Sequence, residues 1–134
     1  MRRFFGNRRN AFRYPLVGTA ELYLSGRELI LTGVLIDISK TGVSFMVTKN
    51  SPRLSKDEVG MLTLNSPDLP DLVTCFVGLA RHVPAVEGVK LGWDFMSIDD
   101  ENYTKVTAYL ALAKVRAERV NVATLAVPAE SSAP

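Results

Sequence analysis

Six β-rich stretches, several with an apolar alternation of period two, give way near residue 99 to an apolar spacing of three and four. That switch restricts the fold more than any other feature. From Leu16 to Leu24 every second position holds an apolar residue or glycine (Leu16, Gly18, Ala20, Leu22, Leu24), with Glu21 and Tyr23 among those between. Side chains alternate across a strand, so the stretch reads as half-buried β-structure. Ser25-Gly26-Arg27 has the composition of a tight turn, and residues 28–39, rich in Ile, Leu and Val, read as a second strand closing a hairpin on the first. Lys40-Thr41-Gly42 turns the chain again into a third strand, where Val43, Phe45 and Val47 alternate with Ser44, Met46 and Thr48. A loop over 49–56, a short strand over 59–64 and a loop with Pro67 and Pro70 follow. Runs over 72–83 and 86–96, separated by Pro84-Ala85, read as a closing hairpin with Val89, Leu91, Trp93 and Phe95 on one face.

Strands at this spacing, joined by short turns, favour an antiparallel barrel or sandwich over a parallel sheet, which needs helical crossovers. After them, Ser97-Ile98-Asp99-Asp100 matches a Ser-x-x-acid capping box, and Tyr103, Val106, Leu110, Ala113 and Ala117 form the stripe of an amphipathic helix running to about Arg119. Asp99, Asp100 and Glu101 sit at its positive end and Lys114, Arg116 and Arg119 near its negative end, which suits the helix dipole. The expected organisation is a flexible basic arm over 1–15, one barrel-plus-helix domain over 16–120, and a disordered tail over 121–134. A chain of 134 residues, 47% of them hydrophobic, builds one ordinary core.

One Cys and one His supply neither an intrachain disulfide nor a Cys/His zinc cage, so no metal is expected and a reducing compartment fits. The basic N-terminus is not followed by an apolar signal-peptide core, and no run approaches the roughly 18 apolar residues of a membrane helix. A cytoplasmic protein without a membrane span is expected. Trp93 is in phase with Val89, Leu91 and Phe95 and reads as core. Cys75, among Val73, Phe76 and Val77, reads as a small buried hydrophobe. His82 has no partner for base catalysis in view, and no catalytic residue is expected.

Charge is distributed unevenly. Arg2, Arg3, Arg8, Arg9 and Arg13 all precede the first acid, Glu21, which puts +5 on the first twenty residues of a chain whose net charge is +2. A basic arm on a mildly acidic body suits an anionic partner, whether nucleic acid, phospholipid surface or phosphorylated small molecule. Arg9 and Arg13 form an Arg-x-x-x-Arg pair, preceded by Arg8, on a segment stopped by Pro15. Guanidinium groups grip phosphates bidentately and stack on planar bases, whereas lysine does only the first. A solvated basic terminus has the same composition. In Asp37-Ile38-Ser39-Lys40-Thr41-Gly42, strand alternation puts Asp37 and Ser39 on one face, away from the core, and Ile36 and Ile38 on the other. Asp37 can accept from a guanine edge, Ser39 can donate or accept, and Gly42 allows a positive φ or a close backbone approach. The same residues also simply make a turn.

Taken together, the Arg-x-x-x-Arg pair ahead of a first strand and Asp-x-Ser-x-x-Gly about two dozen residues on resemble the paired signature of PilZ domains. Leu91-Gly92-Trp93-Asp94-Phe95, followed by an acidic capped helix, is similar to that family's ending, and the likeness spans Arg8 to Leu112. The resemblance implies a mainly all-β fold, a six-stranded antiparallel split β-barrel with a C-terminal α-helix, and a non-enzymatic receptor for cyclic di-GMP without a cofactor. It places Arg9 and Arg13 on the ligand's phosphates and guanine faces, Arg8 as an accessory, Asp37 and Ser39 on guanine, and Gly42 where the surface must stay open. Arg81 lies where some relatives carry a base-stacking residue. The receptor would order its arm on binding and signal to a partner protein, in motility, biofilm or polysaccharide control, as a monomer or homodimer. Two other classes stand beside it. A small β-barrel with Arg-Arg-Phe-Phe-Gly-Asn-Arg-Arg can hold single-stranded nucleic acid, although the basic residues gather at one end and no row of exposed aromatics is evident. The third class is a PilZ-like interaction module that binds no nucleotide.

Overall fold

The structure, a computed structural model, describes residues 2–3 and 12–126, with side chains over 12–120. The expected first hairpin pairs β3 (Thr19–Leu24) with β4 (Leu29–Ile38) from Thr19 opposite Val34 to Leu24 opposite Leu29. Its turn uses Gly26 at φ +80° and Glu28 at φ +48°, the left-handed region that the turn demands. Next come β5 (Gly42–Val47), β6 (Val59–Asn65), β7 (Val73–Pro84) and β8 (Val89–Ile98). Every pairing is antiparallel, and the ring β3–β4–β5–β8–β7–β6 closes back on β3 as a six-stranded barrel. Closure removes the sheet edges that would otherwise invite aggregation.

The alternating apolar residues fill the barrel. Leu22, Leu24, Phe45, Leu62, Trp93 and Phe95 are almost wholly buried, as is Cys75. Phe45 and Trp93 stack with ring centroids 6.2 Å apart at 9°. Burying each large apolar side chain of this kind contributes about 1.5–3 kcal/mol. α1 (Asp100–Ala126) packs on the barrel beside β7, burying Val106, Tyr109 and Ala113. Among the described residues, no helix is long and apolar enough to cross a membrane.

Five local features differ from the sequence expectation. The first strand begins at Thr19, not Leu16, because the chain breaks at Gly18, φ +141°, where an added Cβ would meet the Asn65 carbonyl oxygen, and a separate β2 (Tyr14–Pro15), within the expected arm, lies on Asp37 and Ile38. Leu16 continues this contact by donating its N–H to the Ile36 carbonyl at 3.1 Å. A second pairing in the segment expected as a loose arm joins β1 (Arg2–Arg3) to Ser97 and Ile98. The helix is capped by Asp99, not Ser97. The Asp99 carboxylate accepts the Asn102 N–H at 2.8 Å, while Ser97 belongs to β8 and its buried hydroxyl has no hydrogen-bond partner among the described residues. Finally, α1 continues past Arg119 through the first six residues of the expected tail, because Val120 to Ala126 contain neither Gly nor Pro and the next breaker is Pro128. Residues 127–134 of that tail lie outside the described residues. On α1 the buried stripe includes Tyr109, and Ala117, expected on it, is exposed.

Candidate ligand-binding site

A one-residue slip in the pairing of β4 with β5 organises the site. Leu35 faces Phe45, but Asp37 faces Ser44, so Ile36 is a bulge that shifts the alternation. Leu35 and Ile38 both enter the core as a result, and Ile36 is left partly exposed. Asp37 is thereby turned outward onto the barrel wall with its side chain 19% exposed.

The shared outward face expected for Asp37 and Ser39 does not form. Ser39 is completely buried, and its hydroxyl oxygen accepts the N–H groups of Thr41 and Gly42, each at 3.2 Å. It folds the turn, an ST-type use of serine. Gly42 has no positive φ, and it does not lie on an open surface. It allows close backbone approach, since a Cβ there would come within 2.4 Å of the Trp93 carbonyl oxygen on β8. Backbone bonds from Ser39 N–H to the Gly42 carbonyl, at 2.8 Å, and from Phe95 N–H to the Thr41 carbonyl, at 2.9 Å, secure this corner.

Arg13 arrives from the other motif. Its Nε donates to Asp37 Oδ1 at 2.8 Å, and Nη1 stands 3.5 Å from the Ser39 hydroxyl. Asp37 also accepts from the Ser44 hydroxyl, and Lys90 Nζ lies 4.0 Å from its other oxygen. The Arg13 side chain is 37% exposed, so a ligand can reach the guanidinium beside the carboxylate. Arg81, opposite Gly92 after a second bulge in β7, shares a groove of about 170 Å³ with Arg13, Ser44, Lys90 and Asp94. The structure thus brings Arg13, Asp37 and Arg81 to one wall and leaves Ser39 and Gly42 beneath it as framework. Arg8 and Arg9 lie outside the described residues.

Ser44 and Lys90 went unrecognised in the sequence, as did two braces from α1. Tyr103 donates to the Lys40 carbonyl at 3.1 Å, and Tyr109 donates to the Pro15 carbonyl. The helix therefore holds the turn of one motif and the strand beside the other. Tyr103 and Tyr109 stand six residues apart, outside the run of single-face spacings, and a phenol bound to a backbone carbonyl leaves no residue pattern. Cys75 is inert here: burial pushes its thiol up to about 12. Trp93 lines that groove but is almost wholly buried and belongs to the core, whereas His82 is exposed and lies outside the groove.

Three structural relatives have the same barrel. The PilZ domain of YcgR from Escherichia coli, solved with c-di-GMP, superposes with a TM-score of 0.65 at 14% identity, covering 86% of this chain and 98% of that one. YcgR of E. coli in complex with c-di-GMP gives 0.67 at 14% identity, covering 90% of this chain and 52% of that one. The Bacillus subtilis inhibitor of motility, MotI/DgrA, gives 0.65 at 16% identity, covering 85% and 53%. The chain thus spans about half the length of these last two proteins. No curated protein matches it in sequence. The sequence model of the PilZ domain matches residues 7–112, and with that match over most of its length the chain belongs to the PilZ domain family.

Proposed function

We propose that this domain is a receptor for cyclic di-GMP that works by binding, without turnover. The observation that carries the reading is the convergence of Arg13, from the N-terminal motif, on Asp37, from the second motif, with Arg81 and Lys90 in the adjoining groove. A phosphodiester suits the guanidinium and a guanine edge suits the carboxylate, so a guanine dinucleotide presents both chemistries at once. The groove's 170 Å³ is below the roughly 300 Å³ that encloses a small ligand, so the wall would take part of the nucleotide and the segment bearing Arg8 and Arg9 would cover the rest. Ser39 and Gly42 serve the site by holding the turn under Asp37. The binding of c-di-GMP by the YcgR structures supports this ligand.

The output is conformational. Ligand that takes Arg13 from Asp37 alters the position of the neighbouring Phe12 and Tyr14, and through them the surface offered to a partner protein in the cytoplasm. Control of motility, biofilm or polysaccharide is the setting the family suggests. Isothermal titration tests the ligand: saturable one-site or two-site binding of cyclic di-GMP is expected, with single-stranded DNA and RNA oligonucleotides binding weakly and losing affinity steeply with salt. Nucleic acid bound more tightly than cyclic di-GMP would replace this reading, and binding of neither would leave an interaction module.

A further inference from the structure

We infer that the exposed face of α1 is a self-association surface, on which a second copy of this chain lays its own α1 antiparallel. The surface is an apolar groove of about 630 Å³. One wall is Phe12 and Tyr14, stacked with centroids 6.2 Å apart, and Phe12 is 80% exposed. The other wall is the α1 strip of Tyr103, Thr107, Leu110 and Ala117. With Lys114 between the last two, these recur at intervals of three and four, so the strip is one continuous face, beside the face that Val106, Tyr109 and Ala113 bury in the barrel. From Tyr103 to Glu118 it runs about 22 Å at 1.5 Å per residue, the dimension of a helix and not of a small ligand.

Charge points to a copy of the same chain. Lys114 and Glu118 both line the groove, one turn apart. Neither has an ion pair or hydrogen bond among the described residues. If two α1 helices run antiparallel about a two-fold axis at residue 116, Lys114 of each copy faces Glu118 of the other, which gives two opposite-charge contacts by symmetry. Arg116, on the axis, lies about 200° around the helix from Lys114 and so points away from the seam. Ala111 and Ala117 leave room for close approach. In that register residue 107 of one copy lies across from residue 125 of the other. The partner helix end, whose sequence is Val-Asn-Val-Ala-Thr-Leu-Ala, then enters beside Phe12 and Tyr14. A seam of four helical turns is smaller than a standard interface, so association is in the micromolar range.

This association does not rest on the nucleotide reading, and it is tested without nucleotide by sedimentation velocity of the full chain across the micromolar range. The native chain is expected to shift from monomer to dimer. Lys114→Glu and Glu118→Lys each set like charges opposite one another twice and are expected to weaken dimerisation at least about tenfold. The double variant Lys114→Glu/Glu118→Lys restores opposite charges and is expected to recover the native constant within a few-fold. Both positions are exposed, and circular dichroism shows whether each variant keeps its fold. A native chain that stays monomeric throughout overturns the inference. So does a dimer that single reversals leave unchanged, or one that the double variant fails to recover.

Discussion

Replacing Gly42 by alanine tests whether this glycine is framework or ligand surface. The added Cβ would stand 2.4 Å from the Trp93 carbonyl oxygen and 3.5 Å from the Asp94 Cα, both backbone atoms that no rotamer change can move. Relief to an ordinary contact separates β5 from β8 locally by about 1 Å. That displacement stretches the 2.9 Å bond from Phe95 to Thr41, which joins β8 to the start of β5, past useful geometry. Overpacking of this kind costs about 1–3 kcal/mol, and the weakened bond adds about 0.5–1.5 kcal/mol. The reduced freedom of the unfolded alanine chain offsets about 0.4–1 kcal/mol. The net expectation is a loss of about 2–3 kcal/mol, read from urea unfolding as a lower midpoint at unchanged slope. A loss below about 0.5 kcal/mol would refute the close-approach argument. If such a stable variant also lost cyclic di-GMP, Gly42 would be assigned to the ligand surface.

Arg13→Ala is expected to weaken cyclic di-GMP binding by about 1.5–3 kcal/mol, roughly ten- to a hundredfold, while melting changes little, because its pair with Asp37 is partly solvated; a change below twofold in titration with the fold intact removes Arg13 from the site. Ser39→Ala leaves two N–H groups of the turn without their acceptor and should cost about 1–3 kcal/mol in denaturant unfolding, and an unchanged midpoint would contradict the turn role. The N–H and amide of Asn102 hold the Asp99 carboxyl below its usual range. Its contribution is therefore complete above the ordinary carboxylate value and is lost as pH falls through the lowered folded value. The melting-temperature gap between the native chain and Asp99→Asn should shrink on acidification, and a gap independent of pH counts against the cap. Cys75 should resist thiol reagents at neutral pH until the chain is unfolded; labelling of the folded protein at the unfolded rate would show that the strand opens.

The barrel was legible because its evidence is periodic. Leu22, Leu24, Leu31, Phe45, Leu91, Trp93 and Phe95 alternate in sequence and are buried in the structure, and each strand boundary falls within a few residues of a turn signal. The orientation of the second motif was not legible for a related reason. Alternation assumes an unbroken ladder, and the bulge at Ile36 breaks it one residue before Asp37. Ile, Leu and Val surround the bulge, so composition carries no mark of it. Pro15 signals that the chain is extended near Arg13, yet nothing local says that Tyr14–Pro15 lies on Asp37–Ile38. The helix start was misplaced because Ser97 and Asp99 are both capping residues, and the strand pairing of Ser97 with Phe76 decides between them.

That bulge also explains why the two motifs meet. Without it, Asp37 would share the inward face of Leu35, two residues before it, and the residue opposite Ser44 would be Ile36. With it, the carboxylate stands beside β2, and the pairing of Tyr14 with Ile38 carries Arg13 into reach. The free protein then holds cation and anion together, so a nucleotide gains only the difference between its own contacts and the pair it displaces. Solvation at Arg13 keeps that pair weak, within about 1 kcal/mol, which makes the exchange easy. Arg81 and Lys90 tip the groove toward positive charge and favour the anionic nucleotide in that exchange. In the proposed receptor, an anion held more tightly than the protein's own Arg13–Asp37 pair would move Phe12 and Tyr14, since both flank the side chain that would change partner.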